Sequence, residues 1–202
     1  MAEDPAIQRL VSELAARDWA VCERFLDTPH VTALRSEAEA LYSAGRFRAA
    51  GISQDGLRRT DIRSDDSLWL ASDATPLAWS LLERELEALR IAVNAATYLG
   101  LHEFEGHYAV YPPGAAYARH LDRFRDDNQR VVSLVLYLNA DWGADDGGEL
   151  RLYPQGTDGT APVKLTPRGG TLVSFLSERV PHEVLVAQRT RFSLAGWFRR
   201  RA

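Results

Sequence analysis

Cysteine is almost missing from this chain. Cys22 stands alone, so no internal disulfide can form and a disulfide-stapled scaffold is excluded. A lone thiol fits a reducing compartment, although a secreted protein without disulfides would look the same; a cytoplasmic setting is expected. No apolar run approaches the ~20 residues that a spanning helix needs, so no membrane association is expected. The stretch Met1–Ala6 carries Glu3 and Asp4 and no apolar core, and no secretory address is expected from it. An excess of one charge is missing as well. Lys and Arg number 24 against 28 Asp and Glu, a net charge of −4, which offers no general pull toward nucleic acid or an anionic membrane. Repeats and low-complexity stretches are also absent.

What is present reads as one globular domain over 1–202. Hydrophobic residues make up 46% of the 202, and five Trp supply large anchors, enough for a sizeable core. Asp4-Pro5 reads as a helix cap followed by a first-turn proline, with Ile7, Leu10, Val11 and Leu14 at helical spacing. A second helix is expected from about Pro29 to Ser43, stopped by Gly45. A third starts at Thr75-Pro76 and ends at Gly100, with Leu82, Leu86, Leu89 and Val93 as its apolar stripe. Between the second and third lies a charged stretch, Gln54 to Asp66, which reads either as a solvated loop or as a mobile lid.

From His107 onward, short runs rich in Val, Leu, Tyr and Phe alternate with turn signals. The expected strands are His107–Tyr111, Tyr117–Asp122, Val131–Asn139, Glu149–Tyr153, Val163–Thr166, Gly170–Phe175, His182–Val186 and Thr190–Phe198. That spacing suggests a jelly-roll barrel or sandwich. Helices confined to about 1–100 would buttress a core at about 105–198, an α+β layout.

Three short elements carry chemistry. In a strand, His120 and Asp122 project to one side and offer a metal two adjacent ligands, although such triplets are often surface accidents. His182, after Pro181 at a strand start, is structural if alone. Beside the first pair it completes a two-histidine, one-carboxylate face with open positions opposite, the arrangement of non-haem iron(II) oxygenases. Arg191 follows on the last long strand. It is either a surface arginine like Arg189 or the cation that grips the far end of a dicarboxylic co-substrate, with Ser193 on the same face as a hydroxyl donor.

At this point the sequence resembles the 2-oxoglutarate- and iron-dependent prolyl 4-hydroxylase family, in the branch of the animal oxygen-sensing enzymes and their bacterial relatives. The resemblance runs from about Ile62 to Phe198. It is carried by Tyr111-Pro112, Tyr117-x-Arg119-His120-x-Asp122, Tyr137-Leu138-Asn139-x-Asp141-Trp142, Gly147-Gly148-x-Leu150-Arg151, Pro181-His182-Glu183-Val184, and Arg191 with Trp197. Between Tyr111 and His120 the chain is a residue shorter than the animal enzymes. Ile62-Arg63-x-Asp65 with Trp69 matches the branch's mobile substrate-covering loop. The resemblance implies a double-stranded β-helix core. It also implies iron(II) on His120, Asp122 and His182, and 2-oxoglutarate held by Arg191 and Tyr137 in a pocket lined by Tyr111. Tyr117, Arg130 and Trp197, with Arg63 and Asp65, would meet the substrate, although Tyr111, Tyr137 and Trp197 also read as core aromatics. An Asp65–Arg130 ion pair would latch the closed loop.

The activity so implied is hydroxylation of a prolyl residue in a protein, consuming O₂ and releasing succinate and CO₂, with ascorbate as reductant. The expected partner is a cytoplasmic protein, such as a translation factor, acted on by a monomer. Two other readings stand beside it: an oxygenase of a free amino acid or other small molecule, and a non-catalytic metal-binding jelly roll. His102 and His107 have no partner that would make them metal ligands.

Overall fold

Local rules start each helix. The computed structural model describes residues 4–51, 62–71, 75–122, 129–154 and 161–201. Helix α1 (Pro5–Arg17) begins where the Asp4 carboxylate accepts from the Ala6 N–H at 2.8 Å, and it ends at Asp18, which takes a left-handed conformation. Helix α2 (Thr28–Ser43) begins where Asp27 accepts from the His30 N–H at 3.0 Å. Helix α3 (Pro76–Thr97) has no cap from its own Thr75. Glu37 of α2 caps it from outside instead, accepting from the N–H groups of Leu77 and Ala78 at 3.0 and 3.1 Å. The helix stops at Thr97, before the expected Gly100, because Tyr98 turns left-handed.

The strands are β1 (Trp19–Cys22), β2 (Arg48–Ala49), β3 (Asp66–Trp69), β4 (Leu101–Tyr111), β5 (Tyr117–His120), β6 (Arg130–Tyr137), β7 (Leu150–Leu152), β8 (Val163–Leu165), β9 (Leu172–Leu176), β10 (His182–Val184) and β11 (Arg191–Arg200). Among the described residues they form a seven-stranded sheet, β1-β9-β6-β11-β4-β3-β2, and a four-stranded sheet, β5-β10-β7-β8. The two sheets face each other as a double-stranded β-helix. The eight expected strands are present with shifted ends, and β1 to β3 extend the larger sheet from the helical half.

Period-two alternation decides what faces what. Tyr108 and Val110 of β4, and Phe192, Leu194 and Phe198 of β11, pack with Leu10, Leu34, Leu82 and Leu89 of the helices. The intervening residues face the space between the sheets, where Ala109, Tyr111, Tyr137, Val173 and Phe175 meet Leu150, Leu152 and Val184. The lid expected over Gly56–Asp66 falls largely outside the described residues.

Candidate active site

Two histidines face each other across paired strands. His120 ends β5, His182 opens β10, and the antiparallel register places them opposite one another. Asp122 lies two residues past His120, beyond the end of the strand rather than inside it. Its carboxylate still reaches both imidazoles. His120 Nε2 is 3.5 Å from Asp122 Oδ1 and His182 Nε2 is 3.6 Å from Oδ2. The ligand atoms of all three residues lie within 4.8 Å of one another.

Backbone carbonyls orient the rings. His120 Nδ1 lies 2.8 Å from the Ala118 carbonyl, and His182 Nδ1 lies 3.1 Å from that of Val180. With Nδ1–H donating there, each bare Nε2 turns to the shared centre. Asp122 Oδ2 accepts from Ser133 Oγ at 2.6 Å, and Ser133 lies 2.9 Å from the buried Ser177 hydroxyl. Burial acts against ionising Asp122, but the neighbouring His182, then His120 and Ser133, hold its carboxyl well below the usual range. Burial pushes His182 down to about 4, against the pull of Asp122. At neutral pH the centre therefore offers an ionised carboxylate beside a neutral His182, as divalent iron requires. The donor set and spacing fit that metal.

A cavity of about 260 Å³ runs from this centre to Arg191. Arg191 is 1% exposed, so it is no surface arginine. It meets no carboxylate among the described residues. One terminal nitrogen donates to Ser193 Oγ at 3.2 Å, while Nε has no hydrogen-bond partner among the described residues. Tyr111 and Tyr137 flank it, ring centres 4.8 and 5.1 Å from the guanidinium carbon. The buried Tyr137 hydroxyl also has no partner in hydrogen-bond geometry among them, although the guanidinium lies beside it. Gly148 makes room: a Cβ there would lie 2.9 Å from Arg191 Cδ, and its φ of +65° disfavours any side chain. Unused donors around a buried cation suit the far carboxylate of a dicarboxylic acid.

The remaining expected residues divide. Tyr117 stacks on His120, ring centres 3.6 Å apart, with the Arg63 guanidinium carbon 4.7 Å from the Tyr117 ring centre. Arg130 lies 3.5 Å over the Trp197 ring at the cavity mouth. Asp65 is turned inward, 2% exposed, with both oxygens accepting from Arg63 at 2.6 and 2.9 Å. In this structure Arg63, two residues away, pairs with Asp65, and Arg130 pairs with Glu105 at 2.8 Å; the Asp65–Arg130 latch is an expectation for a closed loop whose residues 52–61 lie outside the described ones. Sequence reasoning missed Ser133, Ser177 and Glu105 and passed over His107. Strand parity carried a signal for two of them, since Ser133 shares a face with Tyr137 and His107 shares one with Tyr111.

A family model described as the 2OG-Fe(II) oxygenase superfamily matches residues 106–199. A solved prolyl-4-hydroxylase from Pseudomonas putida is 41% identical, with a TM-score of 0.87 over 97% of this chain and 100% of that one. The chain belongs to the 2OG-Fe(II) oxygenase superfamily. The chain is also similar to a Trichoplax adhaerens prolyl hydroxylase solved in complex with a hypoxia inducible factor oxygen degradation domain peptide fragment. That match has 27% identity and a TM-score of 0.88, covering 96% of this chain and 88% of that one. It is 30% identical to the Hypoxia-inducible factor prolyl hydroxylase of Caenorhabditis elegans, over 95% of this chain and 28% of that protein. It is also 30% identical to human Egl nine homolog 1, over 96% of this chain and 46% of that protein. The chain thus spans under half the length of these curated relatives. The resemblance read from the motifs and these matches agree on the family.

Proposed function

We propose that this chain is an iron(II)- and 2-oxoglutarate-dependent dioxygenase that hydroxylates a prolyl residue in a protein. The observation that carries the reading is the buried Arg191, with no carboxylate partner among the described residues, facing a two-histidine, one-carboxylate centre across one cavity. His120, Asp122 and His182 would hold the iron. Arg191, Tyr137 and Ser193 would grip the far carboxylate of 2-oxoglutarate, with Tyr111 packing against its chain. When bound, iron with 2-oxoglutarate and O₂ supplies the oxidation, in which one oxygen atom goes to the substrate and succinate and CO₂ leave.

The protein's own part is position and exclusion of water. The carbonyls of Ala118 and Val180 hold the imidazoles in one tautomer, and Ser133 holds Asp122 in one orientation. Tyr117, Trp197 and the stacked Arg130 wall the mouth where the peptide would enter, and Arg63 stiffens that wall from behind. A peptide as substrate is supported by the matches to prolyl hydroxylases, one of them solved with a peptide. The lone Cys22 and the mild negative charge support a cytoplasmic protein target, with the translation machinery as the first place to search and ascorbate as the external reductant. All the side chains named come from one chain, so a monomer suffices.

The test is 2-oxoglutarate-dependent succinate release. Proline-containing peptides are compared with free amino acids and other small molecules, and products are checked by mass for one added oxygen on proline. Turnover of small molecules alone would replace the peptide reading with the small-molecule one. Metal binding without 2-oxoglutarate-dependent O₂ uptake would remove the enzyme reading altogether.

A further inference from the structure

His107 lies on the cavity wall. It is 3% exposed, and neither ring nitrogen has a hydrogen-bond partner among the described residues. It packs against two indoles, ring centres 5.0 Å from Trp69 and 5.5 Å from Trp197. Trp197 is buried beside it, and its Nε1–H is also unpartnered among the described residues. Two adjacent buried donors without acceptors are costly unless a ligand uses them.

The register shows which ligand they face. Tyr111 is opposite Arg191, and His107 is opposite Ala195, four residues along β4 on the same face. At about 3.3 Å per residue that is about 13 Å from the Arg191 level. His107 lines the cavity together with Arg130 and Trp197, away from the end where a dicarboxylate would anchor. Burial, reinforced by Arg63 and Arg130 and opposed by Asp122, pushes its pKa down to about 3. The ring is therefore neutral at neutral pH and offers one N–H and one bare nitrogen. A prolyl residue has no backbone N–H and shows only carbonyl oxygens. A neutral ring donor beside the indole N–H matches that surface.

We infer that His107 is a specificity-determining residue whose ring N–H, beside that of Trp197, donates to a backbone carbonyl flanking the target proline. This rests on the prolyl hydroxylase reading. The test uses the full chain as wild type, His107→Phe (ring kept, donor removed) and His107→Gln (donor kept). Calorimetry gives affinities for Mn(II) and for 2-oxoglutarate. Steady-state kinetics use whichever peptide of a synthetic proline-containing panel the wild type converts best. His107→Phe should raise the peptide KM about tenfold, with kcat changed less than KM and both affinities within about twofold of wild type. His107→Gln should restore most of the KM.

Three results would overturn the assignment. A loss of 2-oxoglutarate affinity with unchanged peptide KM would give the imidazole to the co-substrate. Equal KM values in wild type and His107→Phe would leave it a packing residue. If the wild type converts no peptide in the panel, the prolyl hydroxylase reading fails first and the assignment falls with it.

Discussion

Arg191 is a charge removed from water and given no counter-ion by its neighbours among the described residues. Such a group costs stability until a ligand compensates it. Arg191→Met should therefore raise the melting temperature of the protein without co-substrate while weakening 2-oxoglutarate at least about thirtyfold, both read by thermal unfolding with and without ligand. A fall in both would make the guanidinium structural. Ser133 acts one step back from the metal. Ser133→Ala should lower divalent-metal affinity about 10- to 100-fold, and Ser133→Thr should restore it, by calorimetry with Mn(II). The triad and Arg191 were legible because spacing and residue type together name a chemistry. Ser133 and His107 were not, because a serine within a Val/Leu strand and a histidine with no ligand partner look like filler until the opposite sheet is known.

Elements were legible where their own residues cap or pattern them. Asp4-Pro5 announces α1 and Pro29 marks the start of α2, and near-continuous apolar runs mark β6 and much of β11. Strands β1, β2 and β3 escaped notice because other segments define them. Trp19–Cys22 is a strand through pairing with Leu172–Phe175, and Arg48–Ala49 through pairing with Asp66 and Ser67. Glu37 is the clearest case of such non-local definition. It caps α3 from α2 and accepts from the Tyr108 hydroxyl at 2.7 Å, joining both helices to β4. Glu37→Ala uncaps the helix and strands that buried hydroxyl. It should cost about 1–3 kcal/mol in urea unfolding and leave 2-oxoglutarate affinity intact. A loss below about 0.5 kcal/mol would show that α3 needs no outside cap.

The whole molecule inherits a pH response from its buried rings. Burial pushes His107 to about 3 and His182 to about 4, below the ordinary histidine value of 6.5. Between those values and 6.5 the unfolded chain binds more protons than the folded one. The stability they contribute is therefore complete above pH 6.5 and is lost as pH falls toward 4 and then 3. Each ring adds up to about 1.4 kcal/mol per pH unit to that decline in metal-free protein. Urea midpoints from pH 7 to pH 5 should fall, and His107→Phe should flatten the curve. The paired histidines have a mechanical side as well. Strands β5 and β10 span four and three residues, and their pairing is irregular just past the His120–His182 rung. An ion gripping both rings and the carboxylate after β5 would rivet this weak seam shut. Chelation should then speed amide exchange in β5 and β10 while sparing β6 and β11, so the loss of one atom would slacken the wall that aims the chemistry.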